Sequence, residues 1–134
     1  MKCTIALCSE GASVDHATNQ LTIFNVIEEI VSQTFPIAIP KFTLIFLVER
    51  DGDARDEVGA ALVLRVNGEE MARQPFNFQF QEKKRMRLIL TLGGVVIPAP
   101  GQLESCLFLG DELISSWKID VTKAASVESQ VSVL

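Results

Sequence analysis

The sequence contains one histidine, one tryptophan, no tyrosine and three cysteines in 134 residues. A single imidazole means that any histidine-based triad or metal centre must be built on His16, and no paired His or Cys spacing for a metal accompanies it. Its neighbour Asp15 points the other way on an extended chain, so His16 reads as a turn residue. An odd cysteine count without a secretory signal fits a reducing compartment and not a disulfide framework. On one extended strand Cys3 and Cys8 would lie on opposite faces about 16 Å apart, too far for a disulfide. They are expected to be small buried hydrophobes.

Long apolar runs are also missing. The longest, Phe42 to Val48, is the size of a strand and far short of the roughly 20 residues that span a bilayer. After Lys2 the run from Cys3 to Cys8 is too short for a signal sequence and ends at the polar pair Ser9-Glu10, so the chain reads as unexported and cytoplasmic. Nor is there an excess of positive charge. A formal charge of −5 argues against a surface that neutralises nucleic-acid phosphates or docks on an anionic leaflet.

What is present is ordinary globular material, 48% hydrophobic and 22% charged, enough for one self-folding domain over residues 1–134. Its clearest signal is alternation. In Phe76-Asn77-Phe78-Gln79-Phe80-Gln81 aromatic and amide side chains take turns without a fault, as in a strand with one buried and one wet face. The same pattern recurs, with lapses, in Leu21 and Ile23, in Val58 through Val66, and in Leu113, Trp117, Ile119 and Val121, where Ser115 interrupts the apolar set. Asn67-Gly68 tolerates positive φ at both residues and predicts a type I′ hairpin, and Gly110-Asp111 predicts another. Pro98 to Gly101 should end a strand and redirect the chain, and Pro36 and Pro40 should bracket a connection.

These signals place strands at residues 2–9, 20–30, 41–50, 57–67, 70–81, 86–97, 102–109 and 112–121. Eight strands at this spacing define an all-β antiparallel β-sandwich, immunoglobulin-like or related, with little or no helix. Its facing sheets should be filled by Phe76, Phe78, Phe80, Leu88, Leu90, Leu107 and Trp117. Phe42 to Val48 and Met86 to Leu92 are apolar on nearly both faces, which makes them central strands or strands whose second face meets a partner. In the tail, residues 122–134, Val127, Val131 and Val133 alternate with polar residues and suit a last edge strand, in this chain or against another. The terminal Ser132-Val133-Leu134 also has the form of a peptide that adds to a sheet edge.

Three groups carry candidate chemistry. Asp51, Asp53 and Asp56, with Glu49 and Glu57 beside them, offer carboxylates for calcium. The EF-hand pattern fails, because Asp56 stands where a sharp turn needs Gly and Leu62 stands where the last carboxylate belongs; a solvated loop is the plainer reading. Lys83, Lys84, Arg85 and Arg87 should sit at a hairpin tip after the Phe76 strand, where they serve solubility or hold a phosphate or acidic partner. Gly93-Gly94 precedes Val95-Val96-Ile97 and not a helix, so it is a bulge or bend and not a phosphate cradle. No catalytic constellation and no cofactor motif is present.

Two segments resemble a known family. Cys8 to Phe35, with Asp15, the run Asn19-Gln20-Leu21-Thr22-Ile23-Phe24-Asn25-Val26 and the following Phe35-Pro36, is similar to uncharacterised bacterial proteins catalogued as a domain of unknown function. The closing hairpin, Pro100-Gly101 through Val121, has their form, with Leu103 and Ser105 where aromatics are usual. The resemblance implies a β-sandwich and transfers no catalytic residue. The function expected from the residues is a non-enzymatic protein-interaction module using a sheet face or edge, with another copy of itself as a natural partner. The alternatives are a sandwich that binds calcium or an anion through the loops above, and a hydrolase using carboxylates alone or with His16.

Overall fold

The computed structural model describes residues 1–51 and 57–125, and these form two facing sheets with no helix among them. The strands are β1 (Lys2–Val14), β2 (Leu21–Val26), β3 (Glu29–Ser32), β4 (Ile37–Glu49), β5 (Glu57–Val66), β6 (Glu69–Gln79), β7 (Arg85–Ile97), β8 (Gly101–Leu109) and β9 (Glu112–Lys123). One sheet has the order β2-β1-β4-β7 and the other β3-β9-β8-β5-β6. All pairings are antiparallel except β3 with β9, which run parallel.

The inner faces follow from the period of two. Phe42, Leu44, Phe46 and Val48 on β4 meet Leu62, Leu64 and Val66 on β5, with Leu103, Leu107 and Ile119 closing the layer from β8 and β9. Phe80, Leu88 and Leu107 are buried as expected, whereas Phe76, Phe78, Leu90 and Trp117 only pack against the core from half-buried positions. The reason is placement. Phe76, Phe78 and Leu90 stand on β6 and β7, the outermost strands of their sheets, so an inward residue there has neighbours on one side only; Trp117 stands on β9, between β3 and β8.

The expected strand over residues 20–30 is two strands in different sheets. Asn25 adopts φ 53°, which ends β2, and Ile27 then bridges the layers. Its N–H donates to the Cys8 carbonyl at 2.8 Å, while its own carbonyl accepts the Trp117 indole N–H at 2.9 Å. Similarly, residues 80–84 are not a hairpin tip but an arch from one sheet to the other, because β6 pairs with β5 and β7 pairs with β4. Gln81 and Glu82 have φ 53° and 65°, and Lys83 N–H closes the turn on the Phe80 carbonyl at 2.9 Å.

Smaller departures have equally local causes. A bulge in β9 leaves Ile114 between the pairs Leu107↔Ser115 and Phe108↔Leu113, and the extra residue shifts the phase by one. Ile114 therefore packs on the core and Leu113 is exposed. Pro40 lies inside β4 and not in a connection; it falls opposite Gly94, between the pairs Ile39↔Val95 and Lys41↔Gly93. Proline has no N–H to give and Gly94 takes φ 72°, so this rung is skipped while the register runs on, a bend and not a bulge.

β1 continues beyond Ser9 to Val14 and leaves β4, pairing with β2 alone from Gly11 onward. The tip of that hairpin is nevertheless fixed to β7: Arg87 Nη2 donates to the Asn19 carbonyl at 2.6 Å and Nη1 to Asn19 Oδ1 at 3.3 Å. The hairpin thus arches over the outer face of β4. This accounts for Thr43 and Ile45, which point away from the core and are 1% and 0% exposed. Of the two doubly apolar strands, β4 is therefore central and covered, and β7 is an edge.

Asn67 and Gly68, with φ 51° and 83°, make the expected turn between β5 and β6. Asn67 also accepts the Gln102 N–H through Oδ1 at 2.8 Å and donates its own N–H to the Gln102 carbonyl at 2.8 Å. Gly101 has φ 154°, and a Cβ there would collide with the Asn67 side chain. Gly101→Ala should cost about 2 kcal/mol or more, and adding Asn67→Gly should recover part of the loss; denaturant midpoints of the two variants measure this.

Candidate functional site

The acidic loop is the least developed of the sequence candidates. Asp53 and Asp56 lie outside the described residues. Asp51 accepts the Met1 ammonium at 3.1 Å, and Glu49 is held by Arg85 at 2.7 Å and Lys2 at 3.8 Å. Those cations, with Lys84, hold the Glu49 carboxyl below its usual range, the Arg85 hydrogen bond foremost. Among the described residues no group of three acidic, His or Cys side chains could enclose a metal.

His16 lies exposed in the turn between β1 and β2. Asp15 does not orient it: its Oδ1 accepts the N–H groups of Ala17 and Thr18 at 2.7 and 3.1 Å, which shapes the turn. Cys3, Cys8 and Cys106 are free thiols. Cys8 donates to Ser105 Oγ at 3.1 Å, and burial pushes its pKa up to about 12. Cys106, beside Glu104, is likewise raised to about 12, by burial first. Neither is an activated nucleophile.

The basic residues are brought together more tightly. Lys83, Arg85 and Arg87 face the same side of the sheet as the hairpin tip and, with Asn19, Leu47 and Met86, line a basin of about 400 Å³. Lys84 lies outside that lining.

Two further features escaped the sequence reading. Where β1 leaves β4, a groove of about 570 Å³ opens between Glu10, Ile27, Ile30, Ile39 and Lys41; nothing in a linear pattern marks a strand that changes partners. On the outer face of the second sheet, Ala61, Val63 and Cys106 form a small buried cluster under Phe108. The guanidinium groups of Arg65 and Arg73 lie 5.2 and 5.6 Å from the Phe108 ring centre, each tied to a carboxylate, Glu104 and Glu70.

The edges of the sandwich differ in how they are guarded. β2 and β3 are short. β6 carries Pro75, a bulge at Met71 and the charges Glu69, Glu70 and Arg73, all of them devices that discourage strand addition. β7 is 13 residues long, and from Leu88 to Ile97 it has neither a charge nor a proline. Beside it, Leu62, Phe76, Phe78, Met86, Leu88 and Leu90 line an apolar groove of about 320 Å³ between the β6 and β7 edges.

The described residues thus define an all-β sandwich with one long, unguarded edge. The model of the family of unknown function DUF6941 matches residues 4–122, and the chain belongs to that family. No curated protein matches it.

Proposed function

We propose that this chain is a non-enzymatic interaction module that pairs with a second copy of itself, β7 edge to β7 edge. The carrying observation is the bare run of β7 from Leu88 to Ile97. An edge of that length presents unpaired backbone groups and is a template for another strand unless it is blunted.

The sequence of β7 suits a two-fold partner. In an antiparallel pairing centred anywhere from Ile89 to Thr91, Arg85 and Arg87 oppose uncharged residues of the other copy, so no like charges meet. Such pairing would join two four-stranded sheets into one of eight strands and cover Ile89, 40% exposed, and Val96, 50% exposed.

The strand order supports an immunoglobulin-like reading. With β1, β4 and β7 taken as strands A, B and E, and β5, β8 and β9 as C, F and G, the layers correspond to the two sheets of that fold. The place of strand D, beside E, is the place beside β7 that is unoccupied among the described residues. We propose a bacterial cytoplasmic location, a reading supported by three free thiols, which fit a reducing compartment, and by the family resemblance.

Sedimentation velocity tests the pairing. The protein should run as a dimer at tens of micromolar, and Ile89→Lys with Thr91→Lys should convert it to a monomer with native β-sheet circular dichroism. Met71→Lys, on the guarded β6 edge, should leave the dimer intact. A monomeric wild type at that concentration, or a double variant that still dimerises, overturns the proposal. A monomer that dimerises once residues 126–134 are removed would identify the chain's own tail as the occupant of the edge and equally defeat the self-pairing reading.

A further inference from the structure

We propose that the basin under the β1–β2 hairpin tip is a binding site for a phosphoryl group, taken as free phosphate or a small soluble phosphate monoester. Lys83, Arg85 and Arg87 recur at every second residue along the turn and the start of β7, so they project to one side of the sheet. All three line the basin with Asn19, Leu47 and Met86, and no carboxylate is among its lining residues.

Both arginines are held in place, and among the described residues their outer donors have no partner. Arg87, half-buried, spends two of its five N–H donors on Asn19, one on the carbonyl and one on Oδ1. That grip is a structural investment: Asn19 adopts φ 58°, a conformation rare for residues other than glycine and asparagine. Among the described residues Arg85 spends only Nε, on Glu49 Oε1 at 2.7 Å. Among the described residues no carboxylate lies within 4.0 Å of the Arg87 or Lys83 charge.

Guanidinium groups fixed from behind match the geometry of a phosphate, which accepts paired N–H donors from each fork, and Lys83 adds a point charge. A membrane source for the phosphoryl group is disfavoured, because a protein of net charge −5 is repelled by an anionic leaflet. The basin takes Arg85, Met86 and Arg87 from the start of β7 and faces the hairpin tip; its readout is heat of anion binding and not the monomer–dimer state, so failure of the site and failure of self-pairing are told apart.

The test is isothermal titration of the full chain with inorganic phosphate at low ionic strength. Saturable binding is expected, with Arg87→Ala weakening it about tenfold or more and Arg87→Lys, which keeps the charge and loses the fork, falling between. Lys123→Ala, in β9, should bind as the wild type, and circular dichroism should show all variants folded. Absence of saturable heat up to about 10 mM phosphate, or an Arg87→Ala variant with unchanged affinity, overturns the proposal. So does cosedimentation with vesicles containing phosphatidic acid, but not with neutral vesicles, when free phosphate fails to bind.

Discussion

Phe80→Ala should cost about 3 to 5 kcal/mol of folding stability, a large share of what a domain of this size has. Phe80 is fully buried where the chain arches from one sheet to the other. Its ring meets Phe78 edge-on with centroids 5.4 Å apart, and the Arg50 guanidinium lies 5.4 Å from its centre on the outer side. Truncation leaves a cavity that two sheets and a turn cannot collapse to fill. Phe78→Ala, at a half-buried position near the end of β6, should cost at least about 1 kcal/mol less. Gln79→Ala, on the wet face, should be close to neutral. Urea unfolding of the three variants orders them, and equal midpoints would remove the distinction between core and edge.

The second large effect appears at alkaline pH. Cys8 is buried, and its pKa is raised from 9.0 to about 12; in the unfolded chain the thiol titrates at its ordinary value. Between those two values the unfolded state loses the proton and the native state keeps it, so protons are bound preferentially by the fold and stability falls as pH rises. Below pH 9 the contribution is complete. By pH 12 the cost reaches about 4 kcal/mol for this one group. Cys106 is raised to about 12 as well and should add to the same limb. Urea midpoints measured from pH 8 to pH 11 should drop steeply for the wild type and less steeply for Cys8→Ala. Parallel slopes for the two proteins would show that the buried thiol does not drive the loss.

Much of the fold could be read from the chain because a period of two survives wherever one face is buried. β5 through β9 fall within two residues of their expected bounds, each flanked by turn residues whose chemistry is specific, such as Asn67-Gly68. The misreadings share a cause. Ile27, Ile114 and the Phe80 turn are places where the chain changes sheet or phase, and side-chain polarity does not encode which layer a strand joins. The sandwich could be listed strand by strand; its pairing had to come from the three-dimensional structure.

The candidate sites divide along the same line. Lys83, Arg85 and Arg87 were visible within a run of like charge that also includes Lys84; which of the four share one side of the sheet was not. Asn19, which positions Arg87 from 68 residues away, gave no such signal. Met86 to Leu92 was legible as apolar on both faces, but that pattern alone does not separate a covered strand from a bare one. β4 lies beneath the hairpin, whereas the hairpin meets β7 only at its start, through Asn19 on Arg87, and the arch of residues 10–26 makes the difference.

Ile27 has a mechanical consequence. Its amide is anchored in one layer and its carbonyl in the other, so a sliding motion of either layer along the strand direction must first break one of these two bonds. A sandwich riveted at that residue deforms as a single plate under load, and any shear between its halves begins on the far side, where β6 and β7 share no backbone rung.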